Sequence, residues 1–122
     1  MSETDVWKEA RRALDVPVKY GFAYEYGYTR GSDSSCVYVH AFKKGKDKFE
    51  LRAVSGSNEI NAVAFVGGEY VFPDLKRKYA NLWKKTKRKR LFRRMRACDT
   101  WDFIAEALEE EAASGAFFGI AI

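Results

Sequence analysis

The strongest restriction on the fold comes from the region between Val18 and Tyr28, where every second side chain is large and apolar or aromatic. The positions between them carry mostly small or polar residues, including Gly21, Ala23 and Gly27. Successive side chains of a β-strand point to opposite faces, so a period of two is typical of a strand whose faces differ. The sequence therefore predicts a long strand with one aromatic face.

The segments on either side of this strand predict a helix before it and two strands after it. Apolar residues at helical spacing indicate a first helix over residues 4–14, which Pro17 stops because proline cannot continue a helix. Residues 30–35 form a turn by composition. The β-rich segments 36–42 and 49–54 then indicate two further strands of an antiparallel meander.

Residues 60–66 fit two structures. They could form a short helix capped by Ser57, or a strand. We favour the strand, because Gly67 and Gly68 can both adopt the positive φ of a two-residue hairpin turn that leads into residues 70–72. This choice extends the antiparallel meander toward five strands.

Helix signals resume at Pro73-Asp74, where proline suits the first turn because its missing N–H would have no partner there. The pattern predicts one long helix that reaches Arg96 or Ala97, a length of about 36 Å at 1.5 Å per residue. Apolar stripes lie at both ends of this helix, and between them nearly every direction around the axis is cationic from Lys84 to Arg90. The stripe residues are Leu75, Tyr79, Leu82 and Trp83, and then Leu91, Phe92 and Met95.

A last helix is predicted to begin at a cap formed by Asp99 or Thr100 and to end at Gly115. The apolar residues 116–122 are short enough for an added strand or a docked tail. These elements predict a single α+β domain over residues 1–122. In it, an antiparallel sheet of four to five strands has an N-terminal helix and two C-terminal helices packed on one face.

Composition excludes several classes of protein. With 47% hydrophobic residues in 122 the chain has enough apolar surface for a core, and no apolar run reaches the roughly 18 residues that cross a bilayer. The polar stretch Ser2–Arg12 carries no secretory signal. Cys36 and Cys98 make no disulfide framework, so we expect a reducing, cytoplasmic location.

Charge is divided sharply along the chain. Residues 76–96 hold 12 basic side chains and no acidic one, which leaves 10 basic and 17 acidic residues for the rest of the chain. Six of the seven positions from Lys84 to Arg90 are basic. A helix that is charged in nearly every direction cannot be buried, so this segment is expected to project into solvent or to meet an anionic partner.

Nucleic acid, either DNA or RNA, is the partner that this segment favours, because Lys and Arg bind phosphates and release their condensed counterions. We therefore predict a small non-enzymatic nucleic-acid-binding protein without a cofactor. The candidate binding residues are Lys84, Lys85, Lys87, Arg88, Lys89, Arg90, Arg93, Arg94, Arg96, Tyr26, Tyr28 and Arg30. The basic run also resembles a nuclear import signal, which would imply a nuclear location in a eukaryote.

Three alternatives explain the same charges. The last helix could fold back and neutralise part of the segment with its carboxylates, which are those of Glu106, Glu109, Glu110 and Glu111. The basic helix could instead lie on an anionic membrane or in the groove of a helix-binding protein. Finally, the chain could be a protein-interaction module or inhibitor, of the phage anti-defence type, whose helix binds an acidic protein surface or occupies a nucleic-acid channel.

The aromatic strand offers a second kind of contact. Exposed aromatic rings on a sheet can stack with bases, but an aromatic stripe on an amphipathic strand is usually core. We expect Tyr20 and Phe22 to be core residues. Tyr26 and Tyr28, which lie near Arg30, are the members expected to be exposed.

Catalytic and metal chemistry have little support. Cys36 and His40 are four residues apart on one strand, about 13 Å, which is too far for a nucleophile and its base. They and Cys98 lack the close spacing of metal ligands, so no metal site is predicted. We expect His40 to hydrogen-bond locally. A hidden nuclease site would have to use irregularly spaced carboxylates, namely Asp33, Asp47, Glu50 and Glu59.

Overall fold

A five-stranded antiparallel meander forms the centre of the fold, in a computed structural model that describes residues 3–30, 36–55, 59–89 and 96–122. Each strand pairs with the next one along the chain. The strands are β1 (Ala23–Arg30), β2 (Cys36–Lys44), β3 (Asp47–Val54), β4 (Ile60–Val66) and β5 (Glu69–Val71). The predicted strand at residues 60–66 is confirmed, as is the hairpin turn after it, where Gly67 and Gly68 both have positive φ.

Helices precede and follow the sheet. They are α1 (Glu3–Lys19), α2 (Leu75–Lys78), α3 (Ala80–Arg88) and α4 (Ala97–Ala113), and a short hairpin of β6 (Ala116–Phe117) and β7 (Ile120–Ala121) ends the chain. α1 and α4 pack against each other. The α4 residue Trp101 meets His40 of β2 with its ring edge, 5.5 Å between centroids, which places α4 on one face of the sheet. The predicted α+β fold is confirmed.

The strand register builds an aromatic core between this face and the helices. Phe42 lies opposite Phe49 across β2 and β3, and their rings stack 5.0 Å apart. Phe117 of the terminal hairpin stacks on Phe49 at 5.6 Å, and Phe118 meets Phe49 at 5.0 Å. The terminal residues therefore form a docked tail, one of the two predicted alternatives.

The first helix is longer than predicted. Pro17 lies inside α1 and does not stop it, and the helix continues to Lys19. Val16 and Pro17 are both buried, so packing offsets the backbone hydrogen bond that proline cannot donate. The carbonyl of Pro17 then accepts the N–H groups of Tyr20 and Phe22 in the turn that follows.

This longer helix shortens the aromatic strand, which begins at Ala23 and not at Val18. Tyr20 lies in the turn and is 41% exposed, so the prediction that it belongs to the core is wrong. Phe22 is buried and meets Phe49 edge to face at 5.6 Å, as predicted for a core residue.

The predicted long helix is divided at Tyr79. This residue has a non-helical ψ of 47° and forms the boundary between α2 and α3. A second correction concerns Arg96, which has an extended backbone and is the N-cap of α4. Asp99 is therefore not the cap but the third residue of α4, where its carboxylate accepts the Arg96 N–H at 2.9 Å.

Candidate nucleic-acid interface

Helix α3 has one packed side, formed by Leu82, Trp83 and Thr86. Trp83 meets Phe103 of α4 with a centroid distance of 5.0 Å. Thr86 is buried, and its hydroxyl donates to the Leu82 carbonyl at 3.0 Å. The segment is thus not cationic in every direction, contrary to the sequence-based interpretation, because the one neutral residue within it faces the protein.

The other side of α3 carries a basic ridge, defined here as the five exposed residues Lys84, Lys85, Lys87, Arg88 and Lys89. Within the part of the chain that the structure describes, no carboxylate lies within 4.0 Å of any of these five charges. Three of them lie in the last turn of α3, where the negative end of the helix dipole reduces their mutual repulsion.

Glu111 neutralises a different part of the basic segment. Its side chain is 2% exposed, and it accepts hydrogen bonds from the Lys78 ammonium at 2.6 Å, the Tyr79 hydroxyl and the Phe118 N–H at 3.0 Å. Burial alone would raise the pKa of Glu111, but these hydrogen bonds and the Lys78 charge hold it below its usual range. This contact lies at the boundary between α2 and α3.

No carboxylate of α4 forms an ion pair with the basic ridge in the described part of the chain. Glu109 pairs with Arg12 of α1 at 3.3 Å, and both side chains are exposed. The predicted fold-back therefore occurs, since α4 does reach the basic segment, but the carboxylate that arrives is Glu111 and the cation that it meets is Lys78. Among the described residues, neutralisation by α4 does not extend to the ridge.

The remaining predicted binding residues lie outside the basic ridge as it is described. Arg90, Arg93 and Arg94 lie outside the described residues. Arg96 is exposed at the start of α4, and Arg30 is exposed at the end of β1. Tyr28 is 61% exposed, as predicted, whereas Tyr26 is only half exposed and its ring lies 5.6 Å from His40.

Sequence reasoning missed a second aromatic surface. The rings of Phe65, Tyr70 and Phe72 form an aromatic row along the β4–β5 edge, with centroids 5.2 and 6.2 Å apart in that order. Tyr70 is 60% exposed and Phe72 is 73% exposed. Their alternation around Val71 is a period-two signal that could have placed both rings on one face of an edge strand.

Beside the aromatic row lies a groove of about 800 Å³. It follows the part of β4 that β5 does not cover, because β5 pairs only with residues 64–66. Phe72 and Lys76 line it together with Arg52 and Asn61, and the buried Thr100 lies in its wall. The Thr100 hydroxyl has no hydrogen-bond partner within the described residues.

Lys76 connects this groove to the basic ridge. Its ammonium lies 4.6 Å from the centre of the Trp83 ring, and the ammonium of Lys87 lies 5.9 Å from the same ring. Cations within about 6 Å of an aromatic face are attracted to it. Trp83 therefore holds one cation of the groove and one of the ridge near each other.

His40 is a buried residue with a local hydrogen bond, as expected. Its Nδ1 and the Tyr24 hydroxyl are 2.7 Å apart. Burial lowers the pKa of His40 to about 4, and burial together with Tyr26 raises the pKa of Tyr24 to about 12. Both side chains are therefore neutral at pH 7.

We expect this histidine to make folding sensitive to mild acid. Because its folded pKa lies below the ordinary 6.5, the unfolded chain binds more protons between those values, and stability is complete above pH 6.5 and falls below it. The free energy of unfolding should drop by about 2 kcal/mol between pH 7 and pH 5. Urea titrations should show this drop in the native protein and no such slope in His40→Phe; equal slopes would contradict it.

Two of the carboxylates suspected for a nuclease site have structural partners. Asp47 accepts the N–H of Gly67 at 3.0 Å, and Glu50 pairs with Arg52 at 2.7 Å and Lys48 at 3.6 Å. Asp33 lies outside the described residues. Across the described ranges, no three His, Cys, Asp or Glu side chains group in a way that could hold a metal ion.

Comparisons with known proteins identify no family. The chain matches no protein-family model, and no curated protein and no solved structure is significantly similar to it. None of the helices in the described ranges is long and apolar enough to span a bilayer.

Proposed function

We propose that the protein is a small non-enzymatic nucleic-acid-binding protein and that the basic ridge of α3 is its phosphate-binding surface. The observation that supports this proposal is the set of five exposed cations on consecutive turns with no carboxylate within 4.0 Å among the described residues. Charges that no described carboxylate neutralises are available to an anionic partner.

The spacing of these charges suits a polyphosphate backbone. Residues 84–89 extend about 8 Å along the helix axis, at 1.5 Å per residue. Duplex nucleic acid carries about one phosphate per 1.7 Å of its axis and each strand about one per 3.4 Å, so this length faces about five phosphates of a duplex and about two of one strand. The long Lys and Arg side chains extend this reach beyond the helix axis.

Salt dependence tests the proposal directly. We expect the logarithm of the association constant for unrelated oligonucleotides to fall with the logarithm of salt concentration. The slope should be about −3.5 for a single strand and about −4.5 for a duplex if all five cations neutralise phosphates. Fluorescence anisotropy with labelled DNA and RNA between about 50 and 200 mM salt measures this slope.

The same measurement distinguishes nucleic-acid binding from the second hypothesis, in which the chain is a protein-interaction module. A slope near zero, or no binding to any oligonucleotide at about 50 mM salt, would remove nucleic acid as the partner. Retention of the nuclease-treated protein on an acidic polypeptide at moderate salt would then favour an interaction module that binds an acidic protein surface.

A further inference from the structure

The aromatic row beside the basic ridge identifies the form of nucleic acid that the protein binds. We infer that Tyr70 and Phe72 stack with unpaired bases and that the ligand is therefore single-stranded. This inference rests on the proposed function, because the ridge supplies the phosphate contacts. It adds a base-contacting surface that a phosphate-binding helix alone does not require.

Exposure of the rings is the first reason. Soluble proteins rarely leave adjacent large aromatic side chains uncovered, and contiguous exposed patches mark binding surfaces. Tyr70 and Phe72 are among the most exposed large apolar residues of the described chain, and their ring planes differ by only 17°. Two nearly parallel rings offer flat faces to consecutive bases.

The cations around the row are the second reason. Lys48 lies opposite Phe65 across β3 and β4, and Lys76 lines the groove with Phe72. Arg52 lines the same groove, and so does Asp74. Glu50, however, pairs with both Arg52 and Lys48. Lys76 is therefore the groove cation that no described carboxylate pairs. A positive groove with stacking aromatics is how proteins hold single strands without reading their sequence, whereas bases inside a duplex already stack on each other.

Continuity with the ridge is the third reason. Lys76 and Lys87 both contact Trp83, so the groove beside Phe72 and the phosphate-binding helix share one aromatic support. Lys76 thus takes part both in the groove that Phe72 lines and in the Trp83 contact that Lys87 shares. The groove also offers the exposed Asn61 side chain as a hydrogen-bonding group near a base.

A second copy of the chain is the main competing occupant of this edge, because an unpaired edge strand can pair with another. β5 has only three residues, which gives few backbone hydrogen bonds to a partner strand.

The test compares a double variant that removes both rings of Tyr70 and Phe72 with a single variant that keeps an aromatic ring at each position. Phe72→Leu combined with Tyr70→Ser should weaken binding of a single-stranded oligonucleotide by about 50-fold, because each base stacked on an aromatic ring adds about 5-fold to more than 100-fold in affinity. Phe72→Tyr should retain the affinity within about 2-fold, since it keeps the face on which a base stacks. Duplex affinity should change by less than about 2-fold in both variants, since paired bases are not available for stacking.

Controls connect the loss to stacking. Val18→Ser removes another exposed large apolar side chain, one outside the aromatic row and outside the candidate binding residues, and should leave affinity within about 2-fold. Photocrosslinking of an oligonucleotide that contains 5-iodouracil, followed by mass spectrometry, should modify Tyr70 or Phe72. Thermal unfolding of all variants should match the native protein, because both rings are exposed.

The results separate this inference from the proposed function. Native protein that binds no oligonucleotide removes both. Equal binding of single strands and duplexes, with no effect of the Tyr70 and Phe72 changes, leaves the phosphate-binding ridge but overturns base stacking. An equal loss caused by Val18→Ser, or a change in oligomeric state in place of a change in affinity, would also overturn it.

Discussion

Replacing Lys84, Lys85, Arg88 and Lys89 together by Gln is expected to lower oligonucleotide affinity by about a thousand-fold at about 0.1 M salt. Each phosphate contact contributes about 0.7 to 0.9 to the salt slope, so the loss of four contacts should also reduce the slope by about 3. Gln keeps a good helix propensity, and Lys87 is left in place because it contacts Trp83.

The fold should survive this change. The four side chains are exposed, and none lies within 4.0 Å of a carboxylate in the described part of the chain, so their removal breaks no ion pair there. Relief of repulsion and loss of favourable contact with the helix dipole nearly cancel, which predicts a change in unfolding free energy within about 0.5 kcal/mol.

A matched variant removes the same charge elsewhere. Lys8, Arg11, Lys19 and Lys46 are exposed and can be changed together to Gln. This control should lose little affinity if the ridge is the binding surface. An equal loss in both variants would show that only net charge matters, and unfolding of the ridge variant would show that its cations are structural.

Local sequence patterns predicted the sheet well because their signals act over a few residues. Gly67 and Gly68 fix the β4–β5 turn through their own backbone freedom, whatever packs nearby. The terminal residues were more ambiguous, since nothing in 116–122 reveals that Phe117 docks on Phe49. A local sequence pattern predicts a local conformation, but it does not predict which distant residue packs against that segment.

Errors occurred where a distant residue decides the conformation. The α1 helix passes Pro17 because burial stabilises it, and the strand therefore starts later than the alternation indicates. The boundary at Tyr79 coincides with its contact to Glu111, 32 positions away. No window of local sequence contains both residues, so a continuous helix was the natural prediction.

The candidate site, like the fold, could be predicted only in part from the sequence. The basic ridge could be predicted, because five exposed cations in six positions leave few other arrangements. The partners of the α4 carboxylates could not be predicted. Helical spacing alone does not reveal that Glu111 faces inward while Glu109 pairs with Arg12. The aromatic row was missed because its exposure depends on which face of the sheet the helices cover.

Glu111 is the residue whose loss should destabilise the fold most among the charged ones described. Glu111→Ala leaves the Phe118 N–H and the Tyr79 hydroxyl without their acceptor and Lys78 without its counterion. Removal of one partner from a buried charged network costs about 3–5 kcal/mol, and exposure of the Lys78 side chain places this case near about 3 kcal/mol.

A Gln amide is not expected to satisfy the hydrogen-bond donors that the Glu111 carboxylate satisfies. Three donors meet two carboxylate oxygens, so a Gln amide must turn its NH₂ toward a donor whichever way it is oriented. Glu111→Gln is therefore expected to lose about 2 kcal/mol or more. Glu110→Gln, which removes the same charge from an exposed neighbour, should change stability by less than about 0.5 kcal/mol.

The pH dependence of unfolding provides an independent readout. Because the folded pKa of Glu111 lies below its ordinary value, its contribution is complete above that ordinary value and is lost as pH falls through the folded pKa. Denaturant titrations below about pH 4.5 should therefore show a weaker acid dependence in Glu111→Gln than in the native protein. A stable Glu111→Gln variant with native acid dependence would show that the corner between α2 and α3 forms without this carboxylate.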